Sequence, residues 1–111
     1  MGKILLVNQD ENLLELMRIS LEEVMREEVL IASTPLLAIA LMHEHNFRLI
    51  VSDNQSSILF HLIEQDTIMP FLFFTDDINI EIPFTSKMFI GVWRTNQFED
   101  MRFSIAHLLK S

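Results

Sequence analysis

An α/β fold, with a parallel sheet covered by helices on both faces, is what this 111-residue sequence predicts, and three observations predict it. Short apolar runs at 4–7, 49–51 and 71–74 each end in polar residues, the pattern of strands buried on both faces. Between such runs the apolar residues recur at helical spacing, as in Leu13, Leu14, Met17, Leu21 and Val24. The two periods alternate along the chain with no internal repeat, linker or low-complexity tract, so a single domain spanning 1–111 is expected.

Each element carries its own signal. The first strand, at 4–7, runs into Asn8, Gln9 and Asp10, and Asp10 is placed to cap a helix whose wet face holds the i,i+4 pairs Arg18/Glu22 and Glu22/Arg26. Val29–Ala32 is the second strand. Thr34 then serves as N-cap, with Pro35 at the first helical position where its missing N–H costs nothing, and the helix runs to about His45. Phe47–Ser52 is a third strand that delivers Asp53 at its carboxyl end, after which Ser56 or Ser57 opens a short helix through Ile58, Leu59, Leu62 and Ile63. Pro70 introduces the fourth strand, Phe71–Phe74, which ends at Thr75. From Asp76 to Ile82 polar and apolar residues alternate with period two until Pro83, so extended chain is expected where a fourth helix would stand. The fifth strand occupies 88–93, and Asn96 followed by Glu99 resembles a capping box opening a last helix with Phe98, Met101, Ile105 and Leu108 on one face. Right-handed connections between parallel strands then give, most simply, the flavodoxin-like order 2-1-3-4-5, with the fourth helix reduced or missing.

Composition narrows the function. Half of the residues are apolar, and nine Phe with one Trp supply enough core for a folded chain despite its charge. Sixteen acidic against eight basic residues give a net charge of −8, the opposite of what a surface tracking nucleic-acid phosphates or anionic lipid requires. The absence of cysteine excludes disulfides, thiolate metal sites and Cys nucleophiles, in keeping with a reducing compartment. Gly2 and Gly91 are the only glycines, too few for a dinucleotide fingerprint or a P-loop. The run at 4–7 is too short for a signal peptide or a membrane span, and Leu6 stands where a myristoylation signal after Gly2 needs Ser or Thr. A cytoplasmic domain that binds neither nucleic acid nor membrane is expected.

The stretches KILLVNQDENLLELM and ASTPLLAIALMHEHNFRLIVSD, with a polar group after the first strand and Asp53 after the third, resemble a response-regulator receiver domain of bacterial two-component signalling. Residues 3–53 align without strain; beyond them Thr75, the last strand and the last helix can be placed. The resemblance implies a phosphorelay in which Asp53 is the phosphoacceptor, Mg²⁺ is held by acidic residues after the first strand, and a hydroxyl after strand four and a Lys after strand five orient the phosphoryl group. Asp53 and Thr75 match that pattern. The acidic-pair positions fall on Asn8 and Gln9, neutral amides that stabilise Mg²⁺ far less than carboxylates do. Asp10, one register away, has its better use as a helix cap. The family's Lys-Pro pair falls on Arg94 and Thr95, and a planar guanidinium is not equivalent to a compact ammonium. Gly91 stands where receivers carry an aromatic switch, and the interval from Asp53 to Thr75 is roughly a helical turn or two short. Phosphoryl transfer depends on metal and cationic groups that offset charge, so a degenerate receiver, or pseudo-receiver, that has lost Mg²⁺ is expected.

No other residues suggest chemistry. His43 and His45 diverge by about 200° around their helix and cannot grip one metal, and His61 and His107 lack a partner at ligand spacing. No Ser has a nucleophile context, and Asp76 and Asp77 have no evident acid or base partner, so neither a catalytic residue nor a metal site is expected. The second helix is apolar at nearly every position; with Ala38, Ile39 and Met42 toward the sheet, Leu37, Ala40 and Leu41 point outward as a contact surface. The expected function is therefore a non-enzymatic, phosphorylation-independent signalling and protein-interaction module, with a protein partner in a signalling pathway and a homodimer of moderate affinity. The alternative is a weakly phosphorylatable receiver with Asp53 as phosphoacceptor.

Overall fold

The computed structural model describes residues 3–53, 70–76 and 89–110. Five parallel strands, β1 (Lys3–Val7), β2 (Val29–Ala32), β3 (Phe47–Ser52), β4 (Phe71–Phe74) and β5 (Phe89–Trp93), form one sheet in the order β2-β1-β3-β4-β5. Among the described residues the helices are α1 (Glu11–Met25), α2 (Pro35–Glu44) and α3 (Phe98–Lys110), the last entered through a 3-10 turn, Thr95–Gln97. The flavodoxin-like order expected from the sequence is the order observed. The helix expected from Ser56 or Ser57, the shortened interval before Thr75 and the extended chain in place of a fourth helix fall largely outside the described residues, as do His61 and Asp77.

Alternation along the buried strands divides the core in two. Ile4, Leu6, Leu49, Val51, Leu72 and Phe74 point to the face covered by Leu14, Met17 and Leu21 of α1 and by Met101 and Ile105 of α3. Leu5, Val7, Ile50, Phe71 and Phe73 point to the other face, where Ala38 of α2 is fully buried. Strands apolar on both faces leave little choice of arrangement, because each side chain of this size gains about 1.5–3 kcal/mol by burial. Arg48 ties the periphery together, donating to Glu27 Oε1 at 3.0 Å and to the Leu109 carbonyl at 3.0 Å near the end of α3.

The helix ends follow the sequence in part. Asp10 Oδ1 accepts from the backbone N–H groups of Asn12 and Leu13 at 3.0 and 3.1 Å, and Thr34 Oγ1 accepts from that of Leu37 at 3.2 Å, as expected of N-caps worth about 1 kcal/mol each. The Glu22/Arg26 pair gives way to a different end. Arg26 lies past α1 in the left-handed region, at φ 56, with its N–H on the Glu22 carbonyl, and the Glu22 carboxylate pairs with Arg18 at 3.0 Å. The Asn96/Glu99 capping box is also replaced: Asn96 sits inside the 3-10 turn, Arg94 N–H donates to Gln97 Oε1 at 2.9 Å, and Glu99 pairs with Arg102. The physical reason is that Arg94 and Gln97 bond each other reciprocally, with the Gln97 N–H on the Arg94 carbonyl at 2.8 Å, so the turn begins ahead of Asn96 and encloses it.

One rotation also differs. Leu41 packs partly against the sheet with Met42, so the outward ridge of α2 is formed by Leu36, Leu37 and Ala40 rather than by Leu37, Ala40 and Leu41. Ala38 is the fully buried residue of α2, and Leu41 and Met42 lie one turn on, packed against the same cluster. No helix of the described residues is long and apolar enough to cross a membrane.

Candidate functional site

Parallel strands in this order bring the residues that follow them to one edge of the sheet. Val7 is in register with Ser52, Ser52 with Phe73, and Phe74 with Trp93, so Asn8, Asp53, Thr75 and Arg94 follow one another across the carboxyl ends of β1, β3, β4 and β5. Open α/β sheets bind their ligands at this edge. The four positions singled out in the sequence are thus brought together by topology.

Asp53 is built into the sheet by its backbone. Its N–H donates to the Val7 carbonyl at 2.9 Å, and its own carbonyl accepts from the Ser52 hydroxyl at 2.8 Å. Of the two carboxylate oxygens, Oδ2 accepts the backbone N–H of Gln9 at 3.0 Å. The other, Oδ1, is buried and has no hydrogen-bond partner among the described residues. Gln9 therefore reaches Asp53 through its main chain. Asn8 is buried and turns its Oδ1 to the N–H of Asp10 at 2.9 Å, an Asx-type turn that starts α1. With Asp10 Oδ1 occupied by the cap, the segment after β1 is organised to begin a helix. Among the described residues, no three His, Cys, Asp or Glu side chains gather into a metal site.

At the other end of the site the carboxyl ends of β4 and β5 are joined. Thr75 N–H donates to the Trp93 carbonyl at 3.0 Å. One residue further on, Asp76 Oδ1 accepts the N–H of Thr95 at 3.0 Å and Oδ2 accepts its hydroxyl at 2.6 Å. These bonds hold the Asp76 carboxyl below its ordinary value, the Thr95 hydroxyl first and the Thr95 N–H next; partial desolvation opposes them and the Arg94 charge assists. Sequence spacing alone gives Asp76 no partner. The available signal was Thr95 itself, which supplies an N–H where the resemblance has a proline that lacks one. A Cβ on Gly91 would lie 3.1 Å from the Trp93 ring, which would have to give by a few tenths of an ångström.

The histidines stand elsewhere. His45 Nδ1 meets Lys3 Nζ at 2.9 Å, at the amino end of β1, and its ring packs on Phe47 with centroids 6.1 Å apart. His43 and His107 are exposed on α2 and α3.

No protein-family model matches the chain, and no curated protein matches it. Solved structures do. The chain is similar to a response regulator receiver domain protein from Clostridium thermocellum, with TM-score 0.74 and 20% identity over 99% of this chain and 97% of that one. It is similar to the signal receiver domain of an HD domain-containing protein from Pseudomonas fluorescens Pf-5, with TM-score 0.83 and 14% identity over 98% of this chain and 94% of that one. A third is the response regulator protein TrrA from Thermotoga maritima, in complex with Mg²⁺–BeF, with TM-score 0.81 and 16% identity over 97% of this chain and 99% of that one. The fold of this chain is that of response-regulator receiver domains. One fold hosts many functions, so the fold by itself assigns none to this chain.

Proposed function

We propose that this chain is a pseudo-receiver, a signalling module that engages a protein partner without phosphorylation and without a resident Mg²⁺. The observation that carries the reading is the donor set around Asp53. Mg²⁺ demands near-octahedral oxygen ligands and gains most from carboxylates. Here Asp53 presents one carboxylate, Asn8 Oδ1 is committed to Asp10 N–H, and Gln9 is a neutral amide reaching Asp53 by its backbone. That set does not fit the ion. Arg94 in place of a compact ammonium weakens phosphoryl positioning further. The outward ridge of Leu36, Leu37 and Ala40 supports protein contact, including a homodimer, and a net charge of −8 favours a protein over nucleic acid or an anionic membrane.

A second reading, a weakly phosphorylatable receiver, is supported by two features: Asp53 Oδ1 lacks a hydrogen-bond partner among the described residues, and Thr75 places a hydroxyl-bearing residue after the next strand. Incubation with acetyl phosphate and Mg²⁺, followed by intact-mass spectrometry, separates the two. The pseudo-receiver forms no phosphoryl adduct; an adduct that disappears in Asp53→Asn establishes the second reading.

A further inference from the structure

We infer that Asp76 and Thr95 form a standing latch that holds the carboxyl ends of β4 and β5 in a single arrangement, so that the site's conformation is set without a phosphoryl group. The inference deepens the pseudo-receiver reading and rests on it for its regulatory meaning. Both oxygens of one carboxylate are engaged by one residue, at 3.0 Å through its N–H and at 2.6 Å through its hydroxyl. A charge-assisted pair of this kind fixes direction as well as distance. Behind it the Thr75 N–H to Trp93 carbonyl bond, at 3.0 Å, closes the strand ladder.

The latch residues adjoin two positions of the candidate site: Thr75 precedes Asp76, and Arg94 precedes Thr95. A displacement of one loop against the other by about 1 Å takes the hydroxyl contact out of hydrogen-bonding range. Neither bond can be made by proline at position 95, which has no N–H and no hydroxyl.

Amide hydrogen exchange and relaxation dispersion on the full chain test the latch. In the wild type the Thr95 amide is protected, and Thr75 and Arg94 show no millisecond exchange. In Asp76→Ala the Thr95 and Thr75 amides exchange at least about tenfold faster while those of β1 keep their rates. An unchanged Thr95 rate, or a faster Thr95 with Thr75 unaffected, overturns the latch, as does millisecond exchange at Thr75 in the wild type. If Asp76→Ala also speeds β1, the near-isosteric Thr95→Val takes its place, with faster exchange at Thr75 expected and no change overturning the inference. A phosphoryl adduct on Asp53 with this exchange pattern intact would sink the pseudo-receiver reading alone, so the two failures are distinguishable.

Discussion

Trp93 lies against Gly91 on the same strand: an ideal Cβ on the glycine would stand 3.1 Å from both Cη2 and Cζ3 of the ring. Residues two apart on a strand share a face, so the indole folds back over its neighbour. Ala at this position asks the half-exposed ring to give by a few tenths of an ångström. Gly91→Ala is therefore expected to change stability by less than about 1 kcal/mol, with a shift in Trp emission. Gly91→Phe displaces the ring and costs about 1–3 kcal/mol, read from urea unfolding. A Gly91→Phe variant with unaltered emission and midpoint would contradict the packing described.

Arg26 ends α1 with φ 56, a conformation that costs a residue with a Cβ roughly 1–2 kcal/mol and glycine almost nothing. Its side chain is exposed, and Glu22 pairs with Arg18 instead. Arg26→Gly should raise stability by about 1 kcal/mol, less the entropy glycine adds to the unfolded chain. A lower urea midpoint would show that the side chain makes a contribution its exposure does not suggest.

The Asp76 carboxyl is held below its ordinary value of 3.8 by Thr95, with Arg94 the charged group that assists. A carboxyl with a depressed folded value stabilises the fold fully above its unfolded value and loses that contribution as pH falls through the folded one. The stability difference between wild type and Asp76→Asn should therefore be constant near neutrality and shrink toward zero as pH falls below 3.8. Urea titrations across the acid range, with Trp93 as the reporter, check the sign. A difference that grows on acidification would reverse the assignment.

Leu36 and Leu37 are 79% and 44% exposed, so replacing both with Ser should leave the urea midpoint within about 0.5 kcal/mol per site. The same change should weaken the proposed homodimer. Two chains at −8 repel, and screening limits that repulsion to about 8 Å at physiological ionic strength, so the wild-type dimer should tighten as salt rises. Light scattering over a range of protein and salt concentrations measures both effects. A wild-type chain that stays monomeric at the highest concentration in low and high salt leaves the dimer without support.

The sheet was legible because its strands are continuous apolar runs ended by polar residues, and because Asp10, Thr34 and Pro35 are local signals read within a few positions. The rotation of α2 was not, since a helix apolar on nearly every side has no wet face to orient it, and spacing alone does not turn Leu41 toward the sheet. The positions around Asp53 could be named from the resemblance, but the turn of Asn8 toward Asp10 depends on a backbone geometry no spacing reveals. The bonds from Thr95 to Asp76 join loops 19 residues apart, and the turn before the last helix is closed by Arg94 and Gln97 where the Asn96/Glu99 spacing suggests a cap. Local chemistry could be read along the chain, whereas contacts made only when two strand ends meet could not.

A pseudo-receiver does not accept a metal-supported phosphoryl group at Asp53. Amide spectra of the full chain recorded during titration with Mg²⁺ and beryllium fluoride decide the point. In a pseudo-receiver Gln9, Asp53, Thr75 and Arg94 keep the positions they hold with either salt alone. Saturable shifts at those amides, abolished by Asp53→Asn, would contradict it.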